Sequence, residues 1–247
     1  MNNTITATQA PERYLEAFDE FNHRSATQLG WLKSLRQEGF GRFSETGFPT
    51  THDEDWRFTN VAPIANTGFQ AAQPVEVKAD SLERFGASAF ACQLVFVNGR
   101  FSRELSQLPS LAPDLNVCGL AQALATNAAE IREHLGQYLD FRRDAFAALN
   151  TAFLEDGAYV YVPRGAVIDL PIYVLYVSVP GSVPSVEHPR NLIVVEENSQ
   201  ATIVEDYISL QVGGGFAPSF SNTATELVAG ENAVVSHYMV VRQADNS

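Results

Sequence analysis

Apolar residues recur at helical spacing through the first half of the chain and at strand spacing through the second. In residues 11–24, Tyr14, Leu15, Phe18 and Phe21 lie along one side of a helical projection, which predicts an amphipathic helix. Leu29, Trp31, Leu32 and Leu35 predict a second over 28–40, with Gly39 and Gly41 as its stop. Thr51 followed by Glu54 has the form of a capping box, placing a short helix over 53–58. Residues 80–89 suit another short helix, and 93–101 read as a strand turning at Asn98-Gly99, a strong tight-turn signal. Leu120, Leu124, Ile131 and Leu135 line one side of a predicted helix over 119–139. A last helix over 144–155 is closed by Asp156-Gly157.

After Gly157 the helical period is lost, and Val, Ile, Tyr and Thr dominate with Pro and Gly as punctuation. Three similar stretches follow, starting at Tyr161, Val194 and Leu227. Each is a β-type apolar run, a turn and an Ala-led second run. Ala166, Ala201 and Ala233 mark equivalent places, roughly 33 residues apart, which signals units that bury their faces only against their neighbours. The near-continuous apolar run 174–179 implies burial on both faces, hence parallel or sandwiched sheets. The expected fold is therefore α+β and mainly β. A helical region over 1–156 leads into a β region over 157–247, either a parallel β-helix or a solenoid-like sandwich. The third repeat reaches Met239 with no cap before Ser247, so the stack is expected to be incomplete at its C-terminal end.

Composition narrows the partners. With 16 basic against 29 acidic residues, the net charge of −13 repels phosphate, which argues against nucleic acid and anionic membrane. The apolar run 171–180 is far too short to span a bilayer, and residues 1–14 contain no apolar core of a secretory signal. The two cysteines, Cys92 and Cys118, have no metal-ligand spacing and read as buried thiols in a reducing, cytoplasmic compartment.

Candidate chemistry is thin. Carboxylate pairs could serve glycoside chemistry, and the candidates are Glu196/Glu197, Glu205/Asp206 and Asp169. Adjacent strand residues point to opposite faces, so neither adjacent pair can converge on one bond, and solvated turns and edges account for them. His23, His52, His134, His188 and His237 form no local metal motif, although His237 could face a partner from its strand. Gly213 opens a glycine run that no helix follows, so it reads as a connection rather than a phosphate cradle. Trp56 and Phe58 are expected to pin the helical region to its neighbour, with Arg57 satisfying carbonyls. No catalytic residue and no metal ligand is assigned, and the cofactor-binding residues stay open.

Four segments in order carry a family resemblance. These are the Glu54-DWRFTN stretch, the Phe96-VNGRF turn, the Asp156-GAYVYVPRGAVIDLPI entry to the β region, and the His188-PRNLIVVEENSQA rung. Together they resemble the SufB/SufD family of the SUF iron–sulfur cluster assembly machinery, and favour its D type. The resemblance implies an N-terminal helical region, a right-handed parallel β-helix and a C-terminal helical domain. It also implies pairing with a B-type subunit through the β-helices, docking of a C-type ABC ATPase, and a nascent cluster at the partner interface. It implies a scaffold rather than an enzyme, with no cofactor bound by this chain alone. The family's later rungs, ATPase-docking domain and interface histidine have no counterpart here, so none of its functional residues is carried over. This chain is expected to be a fragment or truncated product, and ATPase docking is not expected of it. The competing reading is a β-helix polysaccharide lyase or glycosidase.

Overall fold

The computed structural model describes residues 9–25, 29–86, 90–110, 112–212, 214 and 216–244, with side chains from Tyr14 onward. The first two predicted helices form as α1 (Gln9–Arg24) and α2 (Gly30–Thr46), while Gln28, the expected start of the second, lies outside the described residues. Tyr14, Phe18 and Phe21 of α1 are buried, but Leu15 is 50% exposed and leaves the predicted stripe. Helix α2 runs through both glycines expected to end it. Gly39 is an approach point: a Cβ there would lie 2.9 Å from the Ala148 carbonyl oxygen and 2.9 Å from the Ala152 nitrogen. The stop comes at Gly47, which holds φ 63° and donates its N–H to Phe43 O at 2.8 Å.

The predicted Thr51/Glu54 capping box does not form, and no side-chain hydrogen bond caps the turn that stands there. Asp53 accepts from the Thr50 N–H at 2.7 Å and the Thr50 hydroxyl at 3.1 Å, and Glu54–Trp56 form a single 3₁₀ turn. Helix α3 (Ala62–Asn66), strand β1 (Gln70–Ala71) and helix α4 (Asp80–Glu83) follow. The 80–89 stretch is helical only over α4, and its residues 87–89 lie outside the described residues. Strands β2 (Cys92–Val97) and β3 (Arg100–Phe101) make the expected hairpin, with Asn98 at φ 49° and Gly99 at φ 75° in its turn. After β4 (Asn116–Gly119) the long predicted helix splits at Asn127 into α5 (Leu120–Thr126) and α6 (Ala128–His134). Helix α7 (Ala145–Ala152) starts on the Asp144 carboxylate, which accepts from the Ala147 N–H at 2.7 Å.

From residue 158 the chain is all strand and turn among the described residues. In order come β5 (Ala158–Val162), β6 (Ile172–Ser178), β7 (Ser185–Glu187), β8 (Arg190–Val195), β9 (Gln200–Ser209), β10 (Ser219–Ser221), β11 (Ala224–Ala229) and β12 (Val234–Arg242). They divide among three sheets, ordered β12-β9-β6-β2-β3, β11-β8-β5-β4 and β1-β7-β10. Each pass of the chain adds one strand to each sheet in turn, and pairing between passes is parallel. Tyr159 pairs with Leu192, Ile172 with Ile203, Ser185 with Ser219 and Gln200 with Val234. The repeat is real, but its alanine register is off by two at one copy. Val167 and Val234 both pair with Gln200, so Ala166 and Ala233 align beside Ser199, and Ala201 pairs with Val235. A shift of two residues keeps the same face, so Ala201 still points into the core.

The fold is thus mixed α/β with stacked parallel sheets. Their shared interior holds Leu94, Phe96, Val160, Val174, Ile193 and Ile203. Strand β6 is buried at every position, which explains its near-continuous apolar run. Outside, Leu120, Ile131 and Leu135 cover the outer face of β5 and β8, and Val77 and Leu82 cover that of β2 and β6. Helices α1, α2 and α7 pack around an aromatic cluster in which Phe18 stacks on Phe40 at 4.2 Å. Strands β1 and β2 join β7 and β6 in parallel, so the N-terminal half contributes to the stack.

Candidate functional site

Polar side chains enter the apolar stack at a few positions, and most of their polar atoms are matched there; Glu187 Oε2 is buried without a hydrogen-bond partner among the described residues. Glu205, fully buried on β9, points inward between two passes of the chain. Its Oε1 accepts from the Thr225 hydroxyl at 2.8 Å and lies 2.8 Å from His237 Nε2; its Oε2 accepts from the Tyr207 hydroxyl at 2.5 Å. Burial pushes the Glu205 pKa up, but the hydrogen bonds from His237, Tyr207 and Thr225 outweigh it and hold the group below its ordinary value. The same bond raises His237 above its ordinary value. Asn191 continues the network: it donates to Thr225 at 3.1 Å and accepts from the Ala158 N–H at 2.8 Å and from the Tyr176 hydroxyl. Phe96, Tyr176 and Tyr207 stack in a column beside it, with ring centroids 4.9 Å apart at each step.

A second constellation ties the stack to the helices. Arg190 and Glu226 are buried and meet at 2.9 Å. Glu226 also accepts the N–H groups of Gly136 at 2.8 Å and Tyr138 at 2.9 Å, while Arg190 donates to Asn150 Oδ1 at 2.8 Å. Asp156 accepts from the N–H groups of Phe101 and Ala121, both at 3.0 Å, and so joins the hairpin end, the start of α5 and the first coil. Burial pushes its pKa up against those hydrogen bonds. Glu187 is likewise raised by burial and accepts from Ser178 at 2.6 Å and Ser221 at 2.7 Å.

The sequence candidates scatter over the molecule. Glu205 and Asp206 are not solvated, as turns and edges would be. Glu205 lies inside, and Asp206 is buried on the opposite face, bound by Tyr173 and Arg242. Burial follows because the outer face of β9 is itself covered. Glu196 and Glu197 sit at the turn after β8, Glu197 paired with the exposed Arg164, and Asp169 is exposed. No two of these carboxylates face each other across a cleft.

His23 and His52 are exposed, and His134 Nδ1 lies 2.8 Å from the Tyr138 hydroxyl. His188 stacks on Phe153 at 5.1 Å, and burial pushes its pKa down to about 3. Trp56 packs on Phe146 at 5.1 Å, but Phe58 is 92% exposed and pins nothing; Arg57 lies over its ring instead of meeting carbonyls. Gly213 and Gly215 lie outside the described residues. Cys92 and Cys118 are free, buried in separate clusters, and burial pushes both up to about 11. Among the described residues no group of three or more His, Cys, Asp or Glu could hold a metal, and no helix is long and apolar enough to cross a membrane.

Pattern reasoning passed over Asn191, Arg190, Glu226, Asp156 and Glu187. The available signal was a polar residue at an inward or covered strand position. It has meaning only once the partner across the stack is known.

The class defined here is a mixed α/β protein of stacked parallel coils, whose inward polar groups bind one another. The family model described as the SufBD protein N-terminal region matches residues 8–174, and that of the SUF system FeS cluster assembly SufBD core domain matches 178–247. An iron-sulfur cluster assembly SufBD family protein of Synechocystis sp. is 33% identical over 244 residues, covering 96% of this chain and 53% of that protein. The iron-sulfur cluster assembly protein SufD of Bacillus subtilis is 26% identical over 251 residues, covering 94% and 52%. That of Escherichia coli is 20% identical over 196 residues, covering 78% and 43%. The chain belongs to the SufBD family and is SufD-like within it. It spans about half the length of the curated relatives it matches.

Proposed function

We propose that this chain is a non-catalytic, SufD-type scaffold subunit in iron–sulfur cluster assembly. The observation that carries the reading is the end-to-end family match, with the N-terminal and core models falling in order over 8–174 and 178–247. We read the stacked coils as turns of a right-handed parallel β-helix; in support, parallel register is kept from β5 through β8 to β11. The carboxylates weighed for glycoside chemistry are bound within the stack or scattered at turns, which favours the scaffold over the lyase or glycosidase.

In this reading an iron–sulfur cluster is cargo. Two buried thiols with raised pKa values are poorly suited to hold it, so a partner supplies its ligands. The partner is a B-type subunit met through the β-helix, in the cytoplasm. Docking of the C-type ATPase is not assigned to this segment.

Co-expression of the tagged chain with B-type and C-type subunits, followed by affinity purification and sizing, tests the reading. Co-purification of the B-type subunit is expected. A chain that stays a folded monomer beside an abundant B-type subunit overturns the proposal.

A further inference from the structure

The scaffold reading leaves unused a cleft between α1, the β2–β3 turn and β7. Its outer part is a groove of about 560 Å³, walled by Phe21, Phe69, Phe153 and Val186. Phe21, Phe153, Val186 and His188 also line a smaller inner cavity of about 50 Å³, so the two parts adjoin.

Glu187 is the sign of a ligand at the inner end. Its Oε1 is filled by the Ser178 and Ser221 hydroxyls, neither of which lines the cavity. Its Oε2 is buried without a hydrogen-bond partner among the described residues, and the residue is only 7% exposed. That oxygen lies on the side of Gly99, which lines the cavity: a Cβ at Gly99 would stand 3.6 Å from it. Buried side-chain polar atoms are normally satisfied, so an unfilled one beside a cavity marks the place of a partner.

Most of the polar groups around that place are donors. Burial raises Glu187 above its ordinary value, against the Ser178 and Ser221 hydrogen bonds and the Arg100 charge. Since Oε1 accepts both hydroxyls, the proton of the neutral acid belongs on Oε2. His188 lines both parts of the cleft. Asn222 Nδ2 donates to Phe146 O at 2.9 Å and lies 3.2 Å from His188 Nδ1. An amide nitrogen only donates, so Nδ1 accepts and the neutral imidazole carries its hydrogen on Nε2. Arg100 gives Nη1 to Ala72 O at 2.7 Å, and neither Arg100 nor Arg24 forms an ion pair among the described residues.

Carboxylates limit the charge of the ligand. Asp156 lines the inner cavity, but its oxygens are taken by the N–H groups of Phe101, Ala121 and Gly157. Glu155 also lines the inner cavity, and Glu16 and Glu20 line the groove. Set against two guanidinium groups, they suit one negative charge and repel a phosphate dianion. The aromatic walls of the groove suit an apolar tail.

We propose that this cleft binds a small monocarboxylate with an aromatic or alkyl tail. Its carboxylate accepts from Glu187 Oε2, His188 Nε2, Arg100 and Arg24, and its tail lies on Phe21, Phe69 and Phe153. The site is independent of the scaffold reading.

Calorimetric titration of the whole chain at neutral pH tests it, with phenylacetate as the probe and benzyl alcohol and benzylamine as the neutral and cationic controls. Phenylacetate should bind at least about tenfold more tightly than either control. Arg24→Gln alters an exposed side chain, and should keep the far-ultraviolet spectrum and lose at least about threefold in affinity. Glu187→Gln presents an amide N–H where Oε2 stands, and should keep the affinity within about threefold, whereas Glu187→Leu should lose at least about tenfold. No phenylacetate binding up to about 10 mM, equal binding of either control, unchanged binding in Arg24→Gln, or a loss of about tenfold in Glu187→Gln overturns the proposal.

Discussion

Glu205 shows how one side chain sets the chemistry around it. A carboxylate inside an apolar stack is costly unless its oxygens are filled, and His237, Thr225 and Tyr207 fill them. Replacing Glu205 with Ala strands the buried Tyr207 hydroxyl and takes the partner from the half-buried Thr225 and from His237, and should lower unfolding free energy by on the order of 3 kcal/mol in urea titration. The pH dependence has a defined sign. His237 is raised, so its contribution is complete below about pH 6.5 and is lost as pH rises through the higher folded value. Glu205 is lowered, so its contribution is present above about pH 4.3 and is lost as pH falls through the lower folded value. The stability difference between wild type and His237→Gln should therefore be largest between those limits and shrink at alkaline pH. Taking the difference cancels the opposite trend from His188, which loses stability as pH falls below about 6.5 because its folded form resists protonation. A difference that grows toward alkaline pH contradicts the Glu205–His237 pairing.

Helix α2 carries two glycines that look alike in sequence and differ in packing. Both read as helix stops, since Gly weakens a helix interior by about 1 kcal/mol relative to Ala. Gly39 faces the α7 backbone at contact distance, whereas nothing lies within 4 Å of a Cβ at Gly41. Gly41→Ala should therefore stabilise the protein by about 0.5–1 kcal/mol. Gly39→Ala should destabilise it by about 1–3 kcal/mol, because overpacking against backbone outweighs propensity. Thermal melts of the two variants, shifting in opposite directions, check this. At the other end of the same contact, Asp144→Ala should cost about 1 kcal/mol through loss of the α7 cap.

On the scale of the whole molecule, Arg190 and Glu226 join stack and helices. Glu226 reaches across to the N–H groups of Gly136 and Tyr138, so its loss affects both halves. Glu226→Gln leaves the fully buried Arg190 without its counter-charge and should cost about 3–5 kcal/mol, seen as a lower urea midpoint. Protection from hydrogen exchange should fall toward β12. Among the described residues that strand pairs only with β9, and Met239 and Val241 on it are 57% and 65% exposed. Slow exchange of β12 amides in the isolated chain would show that another surface covers it.

Periodicity alone determined the change from helix to strand near residue 157, the three-fold repeat, the Asn98-Gly99 turn and the apolar faces of most helices. Those properties depend on neighbours three, four or two residues apart, which the chain itself specifies. Four ordered motifs likewise determined the family. The tertiary structure alone decided that Gly39 is a contact rather than a stop, that Phe58 is exposed, and that Glu205 and Asp206 are buried on opposite faces of one strand. These facts depend on groups brought together across coils and between halves, where distance in space is independent of distance along the chain.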